Sequence, residues 1–264
     1  MNPFSTYLKI PKLSYRLWKV WVRDRDVFLK TFKTDLLVPL LEPILYLVAM
    51  GFGLGSFVQE VGGVPYTQFI APGLVSISMM YASFFECTYS SYVRMYYQKT
   101  YDAIIATPVS LEEVVAGEIL WGATRSLINS SIVLGVVVVW GLANGPSFLL
   151  IIPFSLIVSL LFASIAMCCT ALVPSIDSFN YPSFLFITPM FLFSNTFFPI
   201  TILPNPVQIF AQLFLPLTHT VNITRGLTLG RFDTSMLLSL LWLAAASAIF
   251  FTLSINLMKK RLIR

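Results

Sequence analysis

Apolar residues run along this chain in long blocks, separated by short polar breaks. Six blocks, 35–58, 67–93, 114–142, 147–173, 180–199 and 234–258, each reach the length of about 20 residues that a helix needs to cross a bilayer. The breaks read "QEVGGVPY", "RMYYQKTYDAIIATPVSLEEVVAGE", "LANGPS", "PSIDSFNYP" and a Pro-rich stretch from Pro199 to Phe232. Gly and Pro mark most of them, as turns require. Ahead of the first block, Lys12, Arg16, Lys19, Arg23, Asp26, Lys30 and Lys33 recur at steps of four and three, one stripe of a helix. Leu13, Leu17, Val20, Trp21, Val27 and Phe28 fall on its other faces. The pattern predicts a basic amphipathic helix within residues 1–34, lying in the interface with Trp18 and Trp21 at headgroup depth. Such a helix anchors to anionic lipid, and it also offers one wall of a docking surface for a cytoplasmic partner.

Composition agrees with the blocks. Of 264 residues 57% are hydrophobic and 11% charged, under half the share of a soluble domain. The start of the chain lacks the early apolar core of a cleavable signal, because Lys9, Lys12, Arg16 and Lys19 interrupt it. Cys87, Cys168 and Cys169 form no metal or redox spacing, so neither a disulfide nor a metal site is expected. The formal charge of +5 suggests nucleic acid until the cations are placed. Fourteen of the seventeen Lys and Arg residues lie before the first span, at the second break or after the last span. Only Arg225 and Arg231 fall on the opposite side, and Arg125 lies inside the third span. The positive-inside rule then puts both termini and the second break in the cytoplasm. The chain reads as an all-α integral membrane protein, with a six-span domain over 35–258 and a basic cytoplasmic tail, 259–264.

The second break is longer than a turn needs. "YQKTYDAIIA" suits a short helix that Thr107-Pro108 stops, since the residue before Pro avoids the helical region. Ser110 and Glu113 then have capping-box spacing for the next helix. The shape fits either a well-made connector or a knob that a partner grips.

Four stretches together carry a resemblance: "FIAPGLVSISMMYASFFECTY" (69–89), "YDAIIATPVSLEEVVAGEILWGATRS" (101–126), "ITPMFLFSNTFFPITILP" (187–204) and "FLPLTHTVNITRGLTLG" (214–230). In order and over nearly the whole chain they resemble the ABC-2 exporter permeases, especially the NodJ-type subgroup related to lipooligosaccharide, polysaccharide and drug exporters. The resemblance implies a half-transporter with no catalytic residues of its own. A second copy of the chain would complete the channel, and two copies of a separate ATPase, holding ATP and Mg, would dock beneath. The second break becomes a coupling helix, 95–108, with Tyr97, Tyr101, Asp102, Ile104, Ile105 and Pro108 as its contacts with the ATPase. The external stretch 200–232 becomes two re-entrant helices. In agreement, the sequence holds no Gly-Lys-Ser/Thr of a phosphate-binding loop. The substrate implied is an amphiphile, a lipid-linked saccharide first and a drug or other small amphiphile second.

Three charges lie inside the expected spans. Glu42, Glu86 and Arg125 sit at similar depth, about 12–18 Å from the cytoplasmic side at 1.5 Å per residue. Intramembrane charges are costly unless paired or hydrated. They therefore read as a bundle-locking cluster or as parts of a gate or substrate path, with Glu86 and Arg125 expected to pair. Glu118 reads as shallower and interfacial. Gly51 and Gly55 have GxxxG spacing for helix packing, His219 reads as structural, and the aromatics around the fifth span line a path or face lipid. Two other functions compete with export. An ion-coupled transporter would need an acid/His relay, and a membrane enzyme would need clustered acids, and neither pattern stands out.

Overall fold

A computed structural model describes residues 10–58 and 60–263; the side chains of residues 34–40, Glu42, Pro43 and Phe52 lie outside the described set, as do Lys9 and Arg264. Among the described residues ten α-helices follow one another: α1 (Leu17–Val48), α2 (Tyr66–Phe85), α3 (Thr100–Ile105), α4 (Leu111–Val139), α5 (Ile151–Leu172), α6 (Asn180–Pro182), α7 (Thr188–Phe193), α8 (Asn205–Phe214), α9 (Pro216–Leu229) and α10 (Thr234–Leu262). Four helical runs among the described residues are long and apolar enough to cross a bilayer: Tyr66–Tyr97, Leu111–Val139, Pro146–Leu172 and Thr234–Leu262. A two-residue hairpin, β1 (Glu60–Val61) with β2 (Val64–Pro65), follows the first apolar block. Its turn needs positive φ at both central positions, which Gly62 and Gly63 supply at 62° and 74°.

The central helix is α2, packed between α4, α5 and α9. Hydroxyls bond back to the preceding turn, Ser83 to the Met79 carbonyl at 2.6 Å and, just past the end of α2, Thr88 to that of Phe84 at 2.7 Å. Pro72 breaks the ladder inside α2, and its carbonyl takes hydrogen bonds from Ser76 at 2.9 Å and from Thr224 of α9 at 3.3 Å. Polar side chains also cross between helices, Ser159 to Ser126 at 2.6 Å and Ser126 to the Met79 carbonyl at 2.8 Å. In an apolar surround such groups must find partners inside the bundle. The outer helix α10 instead leaves Leu237, Leu238, Leu241 and Ile249 exposed, an apolar face of the kind that lipid covers.

Close approach of α1 to α4 depends on Gly117. A β-carbon there would stand 2.7 Å from Val20 Cβ and 2.9 Å from the Leu17 carbonyl. Gly122 likewise makes room for Cys87, whose sulfur would lie 2.4 Å from an added β-carbon. Of the GxxxG pair, Gly51 abuts Thr67 of α2 within the same chain, while Gly55 has only ordinary contacts.

Two elements differ from the expected pattern. The amphipathic segment does not end before the first apolar block: α1 carries both as one helix, passing Pro39 and Pro43 without a break. The stretch 180–199 is helical only from Asn180 to Phe193, which at 1.5 Å per residue is about 21 Å and short of a full span. Asn195 takes a left-handed φ of 61° and its side chain accepts from the Ile200 amide at 3.1 Å, so the chain turns there. In the stretch 200–232, α8 and α9 have 10 and 14 residues, each too short to cross, and Leu215 alone lies between them, with Pro216 opening α9.

Candidate functional site

The second break begins with an unwinding of α2. The helix passes through two π-helical turns, Glu86–Ser90 and Val93–Tyr97, before Lys99, at φ 55°, reverses the chain into α3. Such turns add residues to a helix without lengthening it and recur at functional positions. Ser110 then caps α4: its hydroxyl accepts from the Glu113 amide at 3.3 Å, and the Glu113 carboxylate accepts from the Ser110 amide at 2.7 Å. Tyr97, Asp102, Ile105 and Pro108 are exposed and Ile104 half-buried. Tyr101, expected among the outward contacts, is corrected: it is 1% exposed, because the first turn of α3 points it back into the bundle.

Both chain ends hold this segment. Arg16 donates to the Pro108 carbonyl, and the Ser14 hydroxyl donates to Glu113. The Lys12 amide and the Lys259 ammonium both donate to Glu112 at 2.6 Å, and Arg261 donates to the Tyr96 hydroxyl at 2.9 Å. The basic end of α10 and the start of α1 therefore brace the segment from two sides.

Beneath it lies a charge cluster from three elements. Arg94 donates to Glu86 at 2.9 Å, to Glu118 at 2.5–3.1 Å through Nη2 and Nε, and to the Ser91 hydroxyl at 3.2 Å. Ser91 in turn donates to Glu118 at 2.8 Å. Arg125 Nη1 lies 3.6 Å from the other oxygen of Glu86, so the expected Glu86–Arg125 contact is present. Its guanidinium also sits 5.0 Å from the Phe28 ring centre, within cation–π range. Arg23 pairs with its neighbour Asp24 and stands 4.0 Å from Glu118. Among the described side chains, three carboxyl groups thus meet three guanidiniums.

Glu118, read as interfacial, is corrected to fully buried: it lies on the face of α4 that packs against α2, and Arg94 covers it. The sequence marks Arg94 only as one of the cations of the second break. Its reach back along the π turns was not visible in a count of residues, although the Glu86-to-Arg94 interval was. Glu42 lies on α1, and its side chain is outside the described residues. Asp24 is 3% exposed; burial first, and then the negative charge of Glu118, push its carboxyl up to about 7. His219 is held at both nitrogens, by Ser239 at 3.1 Å and the Gln212 carbonyl at 2.8 Å, and stacks on Trp242.

Two cavities meet at the cluster. One, of about 420 Å³, opens between α1, the π turns and α4, and Arg23, Asp24, Gln98 and Trp121 are among its lining. The other, of about 540 Å³, lies among α1, α2, α4 and α7 with Tyr46, Tyr81, Phe85 and Phe191 on its walls. Glu86, Tyr89, Ser90 and Arg125 line both, so they form the neck between a polar chamber and an aromatic one.

A helical bundle with an apolar outer face, a charged neck and paired chambers has the form of a membrane transport protein. The chain belongs to the ABC-2 type transporter family, whose model matches residues 15–229. It is therefore a membrane-embedded permease of that family. It is 37% identical to nodulation protein J of Rhizobium leguminosarum bv. trifolii, with 93% of each chain covered. It is 34% identical to nodulation protein J of Sinorhizobium fredii, over 92% of this chain and 93% of that one. The inner membrane transport permease YadH of Escherichia coli is a more distant relative, 21% identical over 71% of this chain and 73% of its own.

Proposed function

We propose that this chain is the permease subunit of an ATP-driven exporter that moves an amphipathic substrate, a lipid-linked saccharide, from the cytoplasmic leaflet outward. Two copies would form the channel, and two copies of a separate ATPase, which bind the ATP and Mg, would dock on the cytoplasmic face. In this reading the first apolar block and the stretch 180–199 complete six spans in the inner membrane. Both termini are then cytoplasmic, and α8 and α9 are external re-entrant helices. Family membership favours this reading over ion-coupled transport or lipid-linked sugar chemistry.

The observation that carries the proposal is the build of the second break. Its outer surface offers Tyr97, Asp102, Ile105 and Pro108, while its inner side rests on Tyr101 and the Arg94 cluster at the cavity neck. A push on that surface has a short rigid route to the neck. Asp102→Ala with Ile105→Ala tests it, since both side chains are exposed and the fold does not lean on them. The double variant should insert normally and lose export while the copurified ATPase still hydrolyses ATP. Full export by that variant would reduce the segment to a connector. The purified complex should contain two permease and two ATPase chains, and export without any ATPase would overturn the reading.

A further inference from the structure

We propose that residues 194–199 are a strap across the end of the aromatic chamber remote from Glu86, with Phe197 as its plug and Arg225 and Tyr66 as the two residues that hold it in place. This deepens the export reading and rests on it, because a molecule leaving the chamber outward has to pass this end.

The chamber follows one stripe of α2. Phe85, Tyr81, Ser78 and Leu74 line it at steps of four and three, and the same stripe runs on through Ile70 to Tyr66. There the strap crosses it. Tyr46 and Phe191, which also line the chamber, meet edge to face with ring centres 6.2 Å apart. Phe197 stands behind both, 4.9 Å from Phe191 and 6.3 Å from Tyr46. Three rings in mutual contact fill this end with apolar surface.

Few bonds hold the strap. It begins where α7 ends, with Asn195 at a φ of 61° that a non-glycine residue seldom adopts. The amides of Asn195, Thr196, Phe197 and Phe198 make no hydrogen bond among the described residues. Side chains from two other helices hold its carbonyls instead. Arg225 of α9 donates through Nη2 to Asn195 at 2.6 Å and to the Phe69 carbonyl of α2 at 3.2 Å, and its guanidinium lies 3.8 Å from the Phe69 ring centre. It meets no carboxylate among the described residues, so what this cation grips is backbone. Tyr66 donates to the Phe197 carbonyl at 3.2 Å. Thr196 seats the strap on α2 at Gly73, where a β-carbon would stand 2.8 Å from Thr196 Cγ2 and 3.2 Å from its carbonyl oxygen.

The closed position is poised. The Ser194 and Thr196 hydroxyls, on residues with no exposed surface, and Nε of Arg225 are buried without a hydrogen-bond partner among the described residues. Water would satisfy all three on opening, so their cost offsets part of what the two latch bonds and the ring contacts contribute. A strap held in this way can lift without unfolding α7 or α9.

Ser78 lines the chamber and its hydroxyl has no hydrogen-bond partner among the described residues, so Ser78→Cys places a thiol there at small cost. The full chain with this exchange, in intact cells, is treated from outside with the impermeant anion 2-sulfonatoethyl methanethiosulfonate. Peptide mass mapping reads position 78 apart from the native Cys87, Cys168 and Cys169. Slow modification is expected. Tyr66→Phe, which keeps the ring and removes one hydrogen bond, should speed it about five-fold, and Arg225→Gln about ten-fold. Phe197→Ala removes the plug and Gly73→Ala lifts the seat, and both should speed it as well. Phe214→Ala, an exposed ring on α8, is the comparison and should change nothing. Unchanged rates in all four strap variants, an equal gain from Phe214→Ala, or a parent already modified as fast as Asn205→Cys would each overturn the strap. So would failure of the permeant N-ethylmaleimide to reach position 78 in any variant, since the chamber would then admit no solute. If Asn205→Cys stays unlabelled in intact cells, the topology of the export reading fails instead, and the same rates in permeabilised cells then judge the strap by itself.

Discussion

Replacing Arg94 by Leu removes the cation on which the buried cluster turns. Arg94 is 13% exposed at its side chain and Glu118 not at all, so water replaces little of what is lost. Glu86 would keep Arg125 at 3.6 Å, but Glu118 would keep only the Ser91 hydroxyl at 2.8 Å and Arg23 at 4.0 Å, and Arg23 is already paired with Asp24. Breaking a buried pair by deleting one member costs about 3–5 kcal/mol, because the other charge is left uncompensated. The partial replacement by Arg23 puts Arg94→Leu near the lower end, about 3 kcal/mol. Glu118→Leu alone should cost a similar amount, and the double variant should recover a large part of the sum. Reversible unfolding in mixed micelles of rising SDS content measures all three and gives the coupling from the cycle. A loss below about 1 kcal/mol for Arg94→Leu, the value of an exposed pair, would show that the cluster is hydrated and would refute the reasoning. Lys259→Ala is the internal comparison: its pair with Glu112 is 48% exposed on the lysine side, and its loss should cost no more than about 1 kcal/mol.

Three further outcomes follow from the same geometry. Gly117→Ala should destabilise by about 1–3 kcal/mol in the same assay, since a β-carbon 2.7 Å from Val20 forces α1 off α4; Gly135→Ala, with nothing within 4 Å, should be neutral or stabilising. Asp24 has a folded-state value pushed up to about 7 from 3.8, chiefly by burial, so the folded protein holds a proton that the unfolded chain has released. Its contribution to stability is present at low pH and is lost as pH rises through about 7. The thermal midpoint should therefore fall as pH rises from about 4 to about 7 and level off above that, and Asp24→Asn should flatten the slope. A cysteine at position 205 should react with an impermeant thiol reagent from outside intact cells, and a reporter after residue 264 should read as cytoplasmic; labelling only after permeabilisation would contradict the topology.

The parts of the protein legible from residue order are those set by local chemistry. Apolar block length marks out the helices because a bilayer accepts no unpaired backbone. The Ser110–Glu113 spacing marked the capped start of α4, since a capping box is made within one turn. The depth count brought Glu86 and Arg125 together because both lie on helices joined by a short segment, and a helix converts residue number into distance. What needed the tertiary structure were the features that depend on which face meets which neighbour. Tyr101 turns inward because α3 packs on α4 and the second π turn, and Glu118 is buried because α4 presents it to Ser91 and Arg94 beyond the end of α2, a rotation no hydropathy count contains. Arg94 leaves the cationic surface for the cluster because two π turns bring it back toward Glu86. The polar chamber exists only where α1 crosses α4 at Gly117, so Asp24, ninety-four positions from Glu118 in the chain, shares its field through packing alone.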